Sequence, residues 1–208
     1  VINASARTAD SKSRKLTTVF VDHWKGIHDD PVIRFRELGN GDIPHINENW
    51  VAAALKPAAA RSQEEISVLA TSDRYVSELR EADVIVIGSP MYNWSIPSTL
   101  KAYIDHILRV NETFKVDRTN AQHPYVGLLQ DKTLVLLLSR GLDGYEQGEH
   151  NAHMNFQSTY LKTVFNMMGI SDIHLVAVNG TATDNEQLQR SIATARQTIN
   201  DLVTNELT

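Results

Sequence analysis

Apolar residues along this chain fall into two rhythms. Three short runs are continuous: Val84–Ile87, Thr133–Ser139 (TLVLLLS) and Ile173–Val178. Their length and branched aliphatic content read as strands covered on both faces, the habit of a parallel sheet. Val1–Asn3 reads as the end of another, too short to be whole, which predicts a few residues ahead of it. Val32–Leu38 is weaker, because Arg34, Arg36 and Glu37 give it edge character. Between these runs the apolar spacing becomes helical. Leu16, Val19, Phe20, His23 and Trp24 predict one helix, and Leu100, Tyr103, Ile104, Ile107 and Leu108 another after Pro97. Ser62-Gln63-Glu64-Glu65 is a capping-box pattern. It opens a helix through Arg80, with Ile66, Leu69, Tyr75, Val76 and Leu79 mostly inward. Trp50–Leu55 predicts a short helix. His153–Met168 predicts a longer one stopped by Gly169, with Phe156, Tyr160, Val164, Met167 and Met168 apolar. Glu186–Leu202 is the last helix, with Asp184 as its cap. Asn111–Gln130 shows no clear period, apart from a small piece at Gly127–Leu129.

Strand and helix therefore alternate five times, which predicts an α/β doubly wound parallel sheet with helices on both faces. No linker, repeat or low-complexity tract interrupts it, so residues 1–208 read as a single domain. Three loops stand out: 4–13, 88–97 and 139–151. They follow the first, third and fourth strands. In the flavodoxin-like order 2-1-3-4-5 those strands are neighbours, and ligands bind beyond their carboxyl ends.

Composition narrows the functional classes. The chain has 208 residues, 42% hydrophobic and 22% charged, enough for one full core. A net charge of −5 does not suggest a nucleic-acid surface. The absence of Cys excludes disulfides, thiolate metal sites and a cysteine nucleophile, and fits a reducing, cytoplasmic setting. No apolar run reaches the ~18 residues of a membrane span, and no signal peptide is visible.

Each loop carries its own chemistry. Loop 4–13 brings Ser5, Ser11 and Ser13 together with Arg7, Lys12, Arg14 and Lys15 just before a helix N-terminus. Hydroxyls, free N–H groups and the helix dipole suit a phosphate; the blander reading is a solvated loop with Ser13 as N-cap. Neither GxGxxG nor GxxxxGK[ST] is present. Loop 88–97 carries Pro90, Met91, Tyr92, Asn93 and Trp94. Turn chemistry explains its Gly88, Pro90 and Pro97, but not three large side chains in an exposed connection. A flat aromatic ligand would explain them. Phosphate plus planar ring describes FMN. Glu149, His150 and His153 have metal-like spacing, but no further ligand is identifiable. They read as a solvated loop, and no metal is expected.

With these residues placed, the chain resembles the FMN-dependent NADH-azoreductase family, within the flavodoxin-like NAD(P)H:quinone oxidoreductases. The resemblance covers nearly the whole chain and is carried by PMYNWSIPSTLKAYID, NETFKV, LLLSRG and MMGISDIHLVAVNG. It implies that Ser5, Ser11, Lys12 and Ser13 hold the flavin phosphate. Met91, Tyr92, Asn93 and Trp94 would lie against the isoalloxazine ring, and Ser139, Arg140 and Gly141 at its pyrimidine end. Phe114, Val116 and Met167 would line the substrate side. Val116 and Met167 stand where the family often has aromatics, which leaves substrate preference open. The resemblance also implies a homodimer with FMN sites at the interface. Trp50, Trp94 and Tyr145, expected at the surface, point the same way.

The expected reaction carries hydride from NADH or NADPH through FMN to quinones or azo compounds. One shared face of the flavin, covered by Phe114, Met167 and loop 141–151, implies ping-pong kinetics. Asn93 would position the cofactor, and no side-chain acid or base is clearly required. The alternative is a flavodoxin-type electron carrier with no NAD(P)H turnover of its own.

Overall fold

The computed structural model describes residues 1–183 and 186–207. A parallel sheet of order β2-β1-β3-β6-β7 runs through it. Its strands are β1 (Ile2–Asn3), β2 (Arg36–Glu37), β3 (Val84–Pro90), β6 (Thr133–Ser139) and β7 (Asp172–Val178). A separate antiparallel hairpin pairs β4 (Phe114–Val116) with β5 (Tyr125–Gly127). The helices are α1 (Lys12–Ile27), α2 (Glu48–Leu55), α3 (Gln63–Glu81), α4 (Ser98–Ile107), α5 (Ser158–Met167) and α6 (Glu186–Asn205). Among the five sheet strands this is the order 2-1-3-4-5 expected from the alternation.

The centre of the sheet is the most apolar part of the chain. Leu134–Leu138 of β6 are all 0% exposed, as parallel strands covered on both faces must be. One face packs on Leu100, Tyr103, Ile104, Ile107, Leu161 and Phe165 from α4 and α5. The other packs on Leu16 and Phe20 of α1 and Leu188, Ile199 and Leu202 of α6. Gly88 lets α1 come close to β3: a Cβ there would press on the Thr17 methyl and sit 3.2 Å from the Ser13 carbonyl.

Several boundaries move. The edge strand shrinks to Arg36–Glu37, and Val32 is exposed. β3 continues through Gly88, Ser89 and Pro90, because all three remain in register with β6, so the loop proper begins at Met91. α5 starts at Ser158 rather than His153. Residues 152–154 form a 3₁₀ turn, and Phe156 is exposed. The capping box at Ser62 and Glu65 forms with both of its hydrogen bonds, although Ile66 faces solvent. Asp184 lies outside the described residues. Trp50 and Tyr145 are buried, at 8% and 5%, and Trp94 alone of that trio is exposed. No helix is long and apolar enough to cross a membrane among the described residues.

Candidate functional site

The loops after β1, β3 and β6 meet at the carboxyl end of the sheet. In the first, Ser11 and not Ser13 is the N-cap of α1. Its hydroxyl accepts from the Arg14 N–H at 3.3 Å and lies 3.2 Å from the Ser13 hydroxyl. Ser5 accepts from the Arg7 N–H at 3.2 Å. All three serines are buried.

The cations divide between two tasks. Arg14 donates to the Ser5 and Arg7 carbonyls at 2.8 and 2.9 Å and clasps Glu37. It shapes the loop and leaves the anion position to others. Burial pushes the Glu37 carboxyl up, but the Arg14 bonds and the Gly39 N–H outweigh it and hold it below its ordinary value. Lys15 turns to Asp10 at 2.6 Å, and Lys12 approaches the same carboxylate at 4.0 Å. Arg7 makes no ion pair among the described residues.

The second loop holds the backbone strain. Tyr92 and Ser95 exchange two hydrogen bonds of 2.9 Å around Asn93 and Trp94. Both central residues have positive φ, 48° and 65°. This is a two-residue turn with the backbone of type I′, which favours Asn-Gly. Trp in a left-handed position is unfavourable, and such strain gathers at functional sites. The Asn93 and Trp94 N–H groups have no backbone partner among the described residues, so two adjacent donors remain for a ligand edge. Met91 N–H donates to the Ser139 carbonyl at 2.7 Å and ties this loop to the third.

In the third loop, Ser139 is 7% exposed and its hydroxyl makes no hydrogen bond among the described residues. Gly141 offers a backbone N–H. Arg140 differs from expectation. Its side chain is 0% exposed and turned inward, bonded to Gln157, Glu146 and Ser158. A guanidinium that follows a β-strand into the protein interior is spent on structure. Gln157, Asn155 and Glu146 were not singled out by sequence reasoning. The Asn155 side chain accepts from the Ser158 N–H at 3.1 Å, two residues ahead of the Gln157 N-cap, an arrangement with no local sequence signature. Among the described residues no cluster of His, Cys, Asp or Glu could hold a metal.

Phe114, Val116 and Met167 are not part of this site within one chain. α4 and α5 start at the loop end and run back along the sheet for ten residues, about 15 Å. Phe114 follows the end of α4, and Met167 is the last residue of α5. Phe114 pairs with Gly127, which packs on the Gly169 backbone, and Leu129 donates to the Met168 carbonyl at 2.8 Å. These residues form a group of their own at the opposite end of the helices. A cavity of about 700 Å³ also lies away from the loops, beside Val84, Val86, Phe20 and Trp24. It contains none of the candidate site residues.

A sheet of this order, with buried hydroxyls at a helix start beside an aromatic turn, defines a flavodoxin-like protein. The chain matches the family described as having the flavodoxin-like fold over residues 1–203. It is 38% identical to the FMN-dependent NADH:quinone oxidoreductase of Nostoc punctiforme, across 97% of this chain and 96% of that one. It is 39% identical to the enzyme of that name from Herminiimonas arsenicoxydans, with the same coverage. Among solved structures, an FMN-dependent NADH-azoreductase from Bacillus anthracis in complex with FMN superposes with a TM-score of 0.81 at 27% identity, covering 98% of this chain and 97% of that one. The chain belongs to the flavodoxin-like family of FMN-dependent NADH:quinone oxidoreductases.

Proposed function

We propose that this chain is an FMN-dependent oxidoreductase that passes electrons from NADH or NADPH to quinones and aromatic azo compounds. The observation that carries this reading is the meeting of buried serine hydroxyls with two spare backbone donors on loops of neighbouring strands. An FMN molecule presents a dianionic phosphate at one end and an edge of nitrogen and oxygen acceptors at the other, and the two sets suit these features in turn. FMN held there would supply the redox chemistry, hydride transfer between a nicotinamide and the acceptor. The residues of the chain do the rest. Ser5, Ser11, Lys12, Ser13 and the first N–H groups of α1 bind the phosphate. The Asn93 and Trp94 N–H groups orient the ring edge, with the Asn93 side chain offering a further donor and acceptor. Pro90, Met91, Tyr92 and Trp94 supply flat apolar surface. The Ser139 hydroxyl and Gly141 N–H steady negative charge at the pyrimidine end. The purified protein is expected to be yellow and to release FMN, not FAD, on heating. A protein that binds neither overturns the reading.

The assembly we propose is a two-fold homodimer. Phe114, Val116 and Met167 lie at the far end from the loops of their own chain, so a second copy is needed to bring them over a flavin. Val116, Tyr125 and Leu128 expose apolar surface on and beside the hairpin, and Trp94 and Phe156 do so at the loops. Closed two-fold dimers are the commonest assemblies. Light scattering at micromolar concentration should give twice the chain mass; a monomer throughout removes the shared site. The cysteine-free chain suits the reducing cytoplasm, where we place it.

A further inference from the structure

The strained turn at Asn93–Trp94 is gripped from behind by three consecutive residues that the reaction itself does not use. Gln157 is fully buried. Its Nε2–H donates to the Ser89 carbonyl at 3.2 Å, and its Oε1 accepts from Arg140 Nε–H at 3.1 Å. Phe156 N–H donates to the Trp94 carbonyl at 3.1 Å, and the Ser95 hydroxyl donates to the Phe156 carbonyl at 3.4 Å. Asn155 fixes the start of this segment by donating to the Tyr145 carbonyl at 2.9 Å and to the Ser158 hydroxyl at 2.7 Å. One short segment thus holds both sides of the loop: Ser89 where β3 ends, and Trp94 and Ser95 where the turn closes.

Arg140 makes this grip rigid. Its guanidinium donates to Gln157, to Glu146 at 2.6 Å and to the Ser158 hydroxyl at 3.3 Å, and it lies 5.6 Å from the centre of the Tyr145 ring. A buried charge hydrogen-bonded at each of its three nitrogens has few alternative arrangements, and its partners inherit that constraint. Left-handed Trp94 persists only where its surroundings impose it. The Tyr92–Ser95 pair closes the turn locally, and the Phe156 N–H bond to the Trp94 carbonyl holds it from the neighbouring segment.

We propose that Gln157 is a positioning residue for the flavin-facing turn. It acts through Ser89 and Arg140 and never touches the cofactor. The proposal rests on the assignment of loop 91–95 to the flavin edge. Two variants test it. Gln157→Met keeps the volume and removes both hydrogen bonds. Gln157→Glu keeps an acceptor for Arg140 and loses the donor to Ser89, so it carries the same test if the first variant does not fold.

Backbone amide exchange in the FMN-free protein is the first readout. The Tyr92 and Ser95 amides should exchange at least tenfold faster in either variant, while those of Leu134–Leu138 keep their protection. The second readout is FMN titration by fluorescence quenching, where the dissociation constant should rise at least tenfold. The flavin midpoint potential should move with it. Native exchange at 92–95 together with native FMN affinity overturns the proposal. So does faster exchange spread evenly through β6 with unchanged FMN affinity, which would make Gln157 a purely structural residue. If the wild-type protein binds no FMN, the flavin reading fails, and the exchange result still decides whether Gln157 positions the turn.

Discussion

Arg140 and Arg109 are both buried, at 0% and 2% exposed, and each stands just past the end of an element. They serve opposite ends of the molecule. Arg140 follows β6 at the loop end, and all three of its guanidinium nitrogens are hydrogen-bonded. Arg109 follows α4 near the root of the hairpin. Its Nη1 reaches Ser72 at 3.1 Å and Asp73, and its Nη2 lies 3.8 Å from the Glu112 carboxylate, while Nε and Nη2 make no hydrogen bond among the described residues. Nor do the His106 Nδ1 and Trp50 Nε1 nearby. The loop end thus sets a guanidinium bonded at every nitrogen close to the strained turn. The hairpin end pairs a less fully bonded guanidinium with exposed Val116, Tyr125 and Leu128.

Substitution should cost most at the hairpin end. Gly127→Val places a side chain against the Gly169 backbone, and overpacking of this kind costs about 3 kcal/mol. Urea unfolding should show the loss. In the proposed dimer this hairpin covers the partner copy's flavin, so FMN affinity should fall with it. Unchanged affinity would place the hairpin away from the flavin in the assembly as well.

Next comes the loop end. Replacing Ser11 and Ser13 together by Ala removes two hydroxyls from the phosphate position, at about 1 kcal/mol or more each in FMN binding. Unchanged affinity in isothermal titration would remove the phosphate assignment. Trp94→Gly is smaller and has two signs. It relieves a left-handed backbone worth about 1 kcal/mol, so the FMN-free protein should melt no lower than wild type. FMN binding should weaken, because a wall of the site is gone. A variant that melts lower and binds FMN normally would show that the strain is not tied to the ligand.

The smallest effect is a pH dependence at the hairpin end. Burial lowers the His106 pKa, opposed by its hydrogen bond to the Pro44 carbonyl at 2.8 Å and by Asp105, and assisted by Arg109. Above the unfolded value of about 6.5 both states are neutral and the contribution is complete. Below it the unfolded chain takes up a proton that the folded chain resists, so stability falls as pH drops toward the folded value. His106→Gln should flatten chemical-denaturation stability between pH 7 and about pH 5.5. A variant with the same slope as wild type would assign the acid sensitivity elsewhere.

The parts of the molecule read most directly from sequence are those set by local spacing. TLVLLLS becomes β6 residue for residue, and the Ser62–Glu65 box forms as written. The serine loop and the aromatic turn were legible because their residue types are costly or odd where they stand. Less was legible where a residue's role depends on distant partners. Arg140 reads as a loop cation, and only Glu146, Gln157 and Ser158, six to eighteen positions away, turn it inward. Gln157 has no local signature. Trp50 reads as an exposed aromatic, but His106 of α4 meets it edge-on at 5.6 Å and it is buried. Phe114 and Met167 show the same limit at larger scale. Phe114 follows α4 and Met167 ends α5, and both helices run back along the sheet from the loops, which puts these residues at the far end.

Anaerobic mixing of the FMN-loaded protein with NADH, without any partner reductase, shows whether this chain accepts electrons from a nicotinamide by itself. The yellow colour should bleach, and benzoquinone added afterwards should restore it, with parallel double-reciprocal lines when both substrates are varied in steady state. Colour that persists with either NADH or NADPH would contradict the account and make the protein an electron carrier instead.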